Sequence, residues 1–252
     1  MEDLDRDRVV PGSASGILRC LEACGLEWDG AVEYQSRRRA LYDRALETLA
    51  DRGLTYPCSC PRSLRATPVG RVYPGTCRRG PTRTGPTALR FRVDEGLTIR
   101  FTDRVQGPCE YPLAQLGDVV VRRRDGIPAY QLAVVVDDAA QAVTDVVRGA
   151  DLLPSTAWQI ALCEALGAPP VHYAHLPLVV EPDGSKLAKS GRSAPVDPAH
   201  AGVWVARALE LLEHGPPVGL CGAPPDRLIA WATEHWSLER LRRRRTVCPK
   251  SS

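Results

Sequence analysis

Apolar residues recur at helical spacing in the first fifty residues of the chain. Residues 14–25 and residues 36 to about 51 each form one apolar stripe, which predicts two amphipathic helices. Ser36 can cap the second helix and Gly53 can end it. The first helix places Ile17, Leu18, Leu21 and Cys24 on one face, and the side chains expected to face inward in the second are Leu41, Ala45, Leu46 and Leu49.

The pattern changes over residues 57–88, where Pro, Gly, Arg, Thr and Cys dominate and hydrophobic periodicity disappears. This segment is typical of an insertion that folds around something other than an apolar core. Short strands are predicted after it at 88–93, 97–103 and 118–122, and Asp125-Gly126 indicates a hairpin turn.

From residue 130 onward, candidate strands and helices alternate. Residues 130–141 suit either a buried helix or a buried strand. A strand is predicted at 143–147, a helix at 154–166 and a strand at 175–180, so the fold class is α/β with a parallel sheet and crossover helices. Further helices are predicted at 203–214 and 226–234.

Composition adds few constraints, because 252 residues with 44% hydrophobic and 25% charged residues are ordinary for a globular protein. The net charge of +3 is concentrated in the last sixteen residues, which include four arginines at 242–245. That tail is either a solvated end or a contact for a phosphate backbone. With no apolar membrane span or signal peptide, we expect a cytoplasmic protein that has no membrane partner.

The nine cysteines form no obvious disulfide framework. Cys20, Cys24 and Cys163 lie in apolar helical stretches and are expected in the core. Cys58, Cys60 and Cys77 cluster within the insertion, and zinc prefers four such ligands. The fourth ligand is then water, an oxygen ligand or a distant residue, and Tyr73 is a candidate. One structural zinc per chain is predicted; three unrelated loop cysteines are the alternative.

The loop Gly184-Ser185-Lys186-Leu187-Ala188-Lys189-Ser190 follows a predicted strand. Lys186 and Lys189 can place two ammonium groups on one polyphosphate, where they would stabilise developing negative charge. A solvated surface loop is the alternative interpretation.

Several motifs together resemble the glutamate-specific branch of the class I aminoacyl-tRNA synthetases. Residues 186–190 resemble the KMSKS loop, residues 130–138 and 147–152 resemble segments of the amino-acid site, and Glu2-Asp3-Leu4-Asp5 resembles its acidic motif. The set Cys58, Cys60, Tyr73 and Cys77 matches the zinc ligands of the short, stand-alone glutamyl-queuosine tRNA(Asp) synthetase family.

The resemblance implies a Rossmann-type catalytic domain over residues 1–195, a zinc-binding insertion region over 57–117, and a helical C-terminal extension with a basic tail over 196–252. It also implies that Glu2, Tyr130 and Arg148 bind L-glutamate and that Lys186 and Lys189 act on ATP, which is used with Mg²⁺. The other partner would be the anticodon region of tRNA(Asp), whose queuosine base would receive the glutamyl group. A monomer is expected.

The chain also departs from that family. The first strand and its HIGH motif have no counterpart before Met1, so the catalytic domain is expected to be N-terminally incomplete, through either a misassigned start or a shortened, impaired enzyme. Only 63 residues follow Lys189, too few for the anticodon-binding part of an ordinary glutamyl-tRNA synthetase. A fragment of such a synthetase and a non-catalytic, zinc-stabilised tRNA-binding protein are the alternatives.

Overall fold

A computed structural model describes residues 1–61, 72–181, 184 and 196–248. The helices there are α1 (Ser13–Ala23), α2 (Arg39–Asp51), α3 (Leu113–Leu116), α4 (Tyr130–Ala140), α5 (Leu153–Leu166), α6 (Ala201–Leu211) and α7 (Pro225–His235). The strands there are β1 (Thr55–Cys58), β2 (Ala88–Phe91), β3 (Thr98–Asp103), β4 (Gly107–Pro112), β5 (Val119–Arg122), β6 (Asp145–Gly149), β7 (His172–Leu176), β8 (Leu178–Val179) and β9 (Thr246–Val247).

The chain divides into two compact units. The first consists of Met1–Arg6, Glu33–Asp103 and Pro108–Ala174. Helices α2, α4 and α5 pack together at its centre and bury apolar side chains completely, which is the main source of stability in such a unit. The fully buried members of this core are Tyr42, Leu49, Val121, Leu132, Ala157 and Leu162.

The sheets differ from the single parallel sheet that the alternating pattern predicts. Among the described residues, the nine strands form one three-stranded sheet in the order β1-β2-β5 and three two-stranded sheets, β3-β4, β6-β7 and β8-β9. The three-stranded sheet is antiparallel throughout, whereas β8 and β9 run parallel. Periodicity reveals which segments are extended, but it contains no information about which strands pair.

The second unit consists of Asp7–Val32, Arg104–Gly107 and His175–Ser252. Helices α6 and α7 pack through Leu209, Leu228 and Ala232. On the predicted apolar face of α1, Leu18, Leu21 and Cys24 are half-buried and Ile17 is 50% exposed, so this helix has no fully buried residue in the described structure. Cys20, Cys24 and Cys163, which were predicted in the core, are half-buried, and Cys163 packs against the main core of the first unit.

Backbone contacts hold the part of the basic tail that the structure describes. Strand β9 follows the four arginines and pairs with β8, and the backbone amide of Arg243 donates to the carbonyl of Val105. The arginine side chains at 242–245 nevertheless point into solvent. The tail therefore presents exposed cations on a fixed backbone.

Most predicted helices are confirmed within two or three residues, and the undecided segment at 130–141 is the helix α4. The strands predicted at 143–147 and 175–180 are displaced, to β6 and to β7 with β8. Ser36 does not cap α2 as predicted, because its hydroxyl binds Asp3. In the part of the chain described here, no helix combines the length and the apolar character needed to cross a bilayer. The domain boundary at residue 195 stays a prediction.

Candidate active site and metal centre

Arg148, on β6, is held in a fixed orientation on two sides. Its Nη2 donates a hydrogen bond of 2.7 Å to Oγ1 of Thr156, and its Cζ lies 5.3 Å from the centre of the Tyr173 ring. Thr156 lies fully buried on α5, where its hydroxyl donates to the carbonyl of Leu152. A half-buried guanidinium fixed in this way is preorganised for bidentate contact with a carboxylate.

Tyr130, the first residue of α4, lies beside Arg148 and remains 37% exposed. Burial raises the pKa of its phenol, while the charge of Arg148 and a hydrogen bond from Arg148 oppose that increase. The carboxylates of Glu2 and Asp138 lie near enough to raise the same pKa further. Of the three residues predicted to bind glutamate, Glu2 and Arg148 thus both lie close enough to Tyr130 to change the pKa of its phenol.

Asp138 is a member of this site that the sequence did not identify. Burial raises the pKa of its carboxyl to about 6, nearby Asp137 and Glu2 add to the increase, and Arg148 opposes it. Tyr173 shares the same surroundings, since burial raises the pKa of its phenol to about 12 despite the charge of Arg148. The resemblance of residues 130–138 includes Asp138 without giving it a role, and Thr156 and Tyr173 lie in no interpreted motif, so only the fold reveals their proximity to Arg148.

The segment that contains Glu2 is fixed by its neighbours. Asp3 accepts hydrogen bonds from the backbone amide of Ser36 at 2.8 Å and from its hydroxyl at 2.6 Å. Asp5 forms an ion pair with Arg123, with 2.6 Å between Oδ2 and Nη1, and Leu4 packs against the main core. These contacts hold the backbone next to Glu2, whose exposed carboxylate lies near enough to Tyr130 and Asp138 to raise their pKa values.

A second carboxylate, that of Asp137, is buried and fixes α4 to its neighbours. Asp137 accepts hydrogen bonds from the side chains of Gln35 and Tyr42, and Nε of Arg38 lies 2.9 Å from its Oδ1. A buried carboxylate with this many partners is well compensated, and removing one partner would be costly. The pairing fixes α4, and with it Tyr130 and Asp138, against α2 and the turn before it.

The charges around Arg148 suit a small zwitterion. A guanidinium can bind a carboxylate, and the carboxylates of Glu2 and Asp138 can attract an ammonium group. An α-amino acid with an acidic side chain contains all of the complementary groups. The predicted ATP-contacting residues Lys186 and Lys189 lie outside the described residues.

The predicted metal ligands lie together in the first unit. The Sγ atoms of Cys58, Cys60 and Cys77 lie within 4.8 Å of one another, and all three residues are buried. The Cys60 and Cys77 sulfurs are 3.5 Å apart, and the Tyr73 hydroxyl lies 3.3 Å from Sγ of Cys58 and 3.6 Å from Sγ of Cys60. Tetrahedral zinc has bonds of about 2.3 Å to sulfur and about 2.0 Å to oxygen. This geometry places two sulfur ligands about 3.8 Å apart, and a sulfur and an oxygen ligand about 3.5 Å apart. The four side chains therefore fit a zinc ion.

The electrostatics around Cys77 also suit a metal ligand. Burial raises the pKa of its thiol, but hydrogen bonds from the backbone of Ser59 and Thr82 and from the side chains of Tyr73 and Cys60 outweigh burial and lower that pKa to about 5. The thiolate is the form that binds metals. Burial and the neighbouring cysteines raise the pKa of Tyr73 in these surroundings.

Two further contacts shape this cluster. Gly117 adopts a φ of +69°, and a Cβ there would lie 3.1 Å from the carbonyl oxygen of Tyr73, so a larger residue would displace Tyr73. Asp118 is buried and accepts hydrogen bonds from Nε of Arg78 at 2.6 Å and from the hydroxyl of Tyr56, which links the loop after Cys77 to the sheet.

Comparison with known proteins agrees with this geometry. Residues 1–66 and 71–206 match the family of class I tRNA synthetases (E and Q), catalytic domain. The chain is 48% identical to the glutamyl-Q tRNA(Asp) synthetases of Ectopseudomonas mendocina, over 98% of this chain and 84% of that protein, and of Thiobacillus denitrificans, over 96% and 82%. The chain belongs to the class I tRNA synthetase family and, within it, to the group of the glutamyl-Q tRNA(Asp) synthetases.

Solved structures show the same fold. A glutamate tRNA ligase from Elizabethkingia meningosepticum, crystallised with its amino acid, aligns with a TM-score of 0.63 and 28% identity over 75% of this chain. A glutamate-tRNA synthetase from Elizabethkingia anophelis aligns over 99% of this chain with a TM-score of 0.76 and 24% identity. The chain spans 44% and 60% of the lengths of these two proteins.

Proposed function

We propose that this chain uses ATP to activate L-glutamate as glutamyl-adenylate and transfers the glutamyl group to the queuosine base in the anticodon of tRNA(Asp). The names of its 48% identical relatives support the substrate pair. The observation that carries the proposal is Arg148, whose orientation is fixed by Thr156 and Tyr173 beside the carboxylates of Glu2 and Asp138.

In this proposal, Arg148 binds a carboxylate of glutamate, Glu2 holds the ammonium group, and Tyr130 lines the pocket between them. The planar guanidinium of Arg148 offers two parallel N–H donors, which distinguish a carboxylate from the neutral amide of glutamine. The amide cannot accept two charge-assisted hydrogen bonds. Lys186 and Lys189 bind the phosphates of ATP, which is used with Mg²⁺. The proposal includes a monomer as the acting form.

The proposed reaction has two steps. A carboxylate oxygen of glutamate attacks the α-phosphorus of ATP, which forms glutamyl-adenylate and releases pyrophosphate. A hydroxyl of the queuosine ring then attacks the acyl carbon and displaces AMP. Positioning and charge stabilisation supply most of the acceleration in such chemistry, so a fixed Arg148 and the two lysines matter more than any covalent group.

We propose that Cys58, Cys60, Tyr73 and Cys77 hold one structural zinc ion. Such an ion would fold the segment between β1 and β2, which has few apolar side chains of its own, and structural zinc contributes on the order of 10 kcal/mol to folding. Metal analysis of the purified protein should give one zinc per chain, and well under one would contradict the proposal.

Glutamate-dependent exchange of pyrophosphate into ATP tests the activation step. We expect exchange with L-glutamate and only background exchange with L-glutamine or L-aspartate. Arg148→Gln should abolish it, whereas Arg100→Gln, which removes an exposed arginine paired with Glu110, should leave it unchanged. Binding of tRNA without any exchange would favour a non-catalytic binding protein, and glutamylation of tRNA(Glu) would favour an ordinary glutamyl-tRNA synthetase.

A further inference from the structure

Arg90, on β2, is a buried cation beside the cysteine cluster. Its side chain is only 2% exposed. Its Nε donates a hydrogen bond of 3.3 Å to Sγ of Cys58, and its Nη1 donates one of 2.6 Å to the backbone carbonyl of Asp118. Its Cζ lies 3.6 Å from the centre of the Tyr73 ring. Two of the four proposed zinc ligands are thus in direct contact with one guanidinium.

None of these contacts pairs Arg90 with a carboxylate. The carboxylate of Asp118 is engaged instead by Arg78, Tyr56 and the backbone amide of Val93. A guanidinium this deeply buried is costly unless nearby negative charge compensates it. Among the described residues, the partners of Arg90 are a sulfur, an aromatic face and a neutral backbone carbonyl, and of these only the sulfur and the ring belong to a group that can become negatively charged.

A metal-bound cluster supplies the missing charge. Three thiolates around a divalent cation leave one net negative charge, and a phenolate ligand adds another. The face of a tyrosine ring attracts a guanidinium, and the attraction grows when the ring has lost its proton. The fixed positive charge of Arg90 therefore complements the loaded centre.

We propose that Arg90 is a positioning residue of the metal centre, which orients Cys58 and Tyr73 toward the ion and offsets the negative charge of the cluster. The inference rests on the proposed zinc site and is independent of glutamate activation. Groups that orient metal ligands in this way commonly change metal affinity by about 10- to 100-fold when they are replaced.

The test compares zinc affinity and zinc release in the full-length protein, with a chromophoric chelator as the competitor. Arg90→Gln removes the charge and the fork, and we expect about 10- to 100-fold weaker zinc binding. Arg90→Lys retains the charge without the fork and should fall between Arg90→Gln and wild type. Arg122→Gln removes a half-buried arginine from the adjacent strand β5 and should stay close to wild type.

Cobalt substitution adds a readout that a merely structural role would not change. The thiolate-to-cobalt absorption of Arg90→Gln should shift or weaken, because the orientation of Cys58 changes.

If Arg90→Gln fails to fold, recovery of its fold in excess zinc supports the inference. Wild-type affinity and an unchanged cobalt spectrum in a folded Arg90→Gln would overturn it. The inference would also be overturned if excess zinc cannot restore the fold of Arg90→Gln while Arg90→Lys binds zinc as tightly as wild type. A wild-type protein that binds no zinc would overturn it as well. Glutamate-dependent exchange by the wild-type protein can succeed in each of these cases, so the zinc proposal and the glutamate proposal can fail separately.

Discussion

Single side chains determine what the site around Arg148 can bind. From the sequence, only the resemblance to the family assigns Arg148 to the amino-acid site. In the structure, Arg148 is oriented by a buried hydroxyl and an aromatic ring. Thr156 and Tyr173 could not be predicted, because a threonine on a helix and a tyrosine on a strand resemble ordinary core residues until the fold places them beside β6.

Removing the hydroxyl of Thr156 should loosen Arg148. A hydrogen bond to a charged group contributes about 1.5 kcal/mol or more, which corresponds to a factor of about 10. We expect Thr156→Val to raise the KM for glutamate about 10-fold with a smaller effect on kcat, measured by pyrophosphate exchange. Thr156→Ser, which keeps the hydroxyl, is the matched control. Equal KM values in both variants would show that this hydrogen bond does not position Arg148.

Asp138 should make the stability of the fold depend on pH. Burial, assisted by repulsion from Asp137 and Glu2, raises its pKa to about 6, above the value of 3.8 expected in an unfolded chain. The folded state therefore binds the proton more tightly, so this stabilisation is complete below pH 3.8 and is lost as the pH rises through about 6.

Urea denaturation of the wild type and of Asp138→Asn at pH 7 and pH 5 measures this contribution. The wild type should gain stability relative to the variant on going from pH 7 to pH 5. We expect a gain on the order of 1 kcal/mol, allowing for solvent screening of a partly exposed group. A difference between the two proteins that stays constant with pH would contradict the raised pKa.

At the scale of the elements, hydrophobic periodicity predicts helices well and their surroundings poorly. Helix α2 buries Leu46 and Leu49 as predicted, yet α1 has a similar apolar stripe and no fully buried residue. Strand pairing was also beyond the sequence, since β1, β2 and β5 meet across an insertion of about thirty residues. Such long-range partners leave no local pattern.

Ser36 illustrates a local pattern that a distant partner overrides. Its position suggested a helix cap, but its amide and hydroxyl both donate to Asp3. We expect Ser36→Ala to increase hydrogen exchange in residues 1–5, where Glu2 lies, and to raise the KM for glutamate. Thr48→Ala removes a hydroxyl that only donates within α2 and serves as the control. Unchanged exchange in residues 1–5 would show that this contact does not hold the Glu2 segment.

For the whole molecule, the family could be predicted from motifs that are distributed over the first 190 residues, because their combination is more specific than any one of them. The cluster of Cys58, Cys60, Tyr73 and Cys77 could be predicted as a set from the sequence, and the structure brings these four side chains together. Arg90 could not, because nothing in the sequence separates it from the many other arginines. Where the tail lies was likewise not predictable, as pairing of β9 with β8 depends on the folded chain.

The ordered, exposed arginines of the tail should contribute to tRNA binding. Arg242 and Arg244 are paired with Glu239 and Glu213, so the larger effect is expected from Arg243 and Arg245. Replacing these two with alanine should reduce the slope of log Kd against log salt by up to about 2, one for each lost phosphate contact. Arg100→Ala and Arg104→Ala together provide a control of equal charge, and an unchanged slope would assign the tail no phosphate contact.

In the proposed reaction, glutamate is attached to the queuosine base and not to the 3′ end of the tRNA. The most direct test supplies the protein with ATP, labelled glutamate and tRNA(Asp), either carrying or lacking queuosine, and then removes the 3′-terminal adenosine. We predict that label is incorporated only into the queuosine-containing tRNA and remains after the terminal nucleotide is removed. Label on the tRNA that lacks queuosine, or label lost with the 3′ nucleotide, would contradict the account.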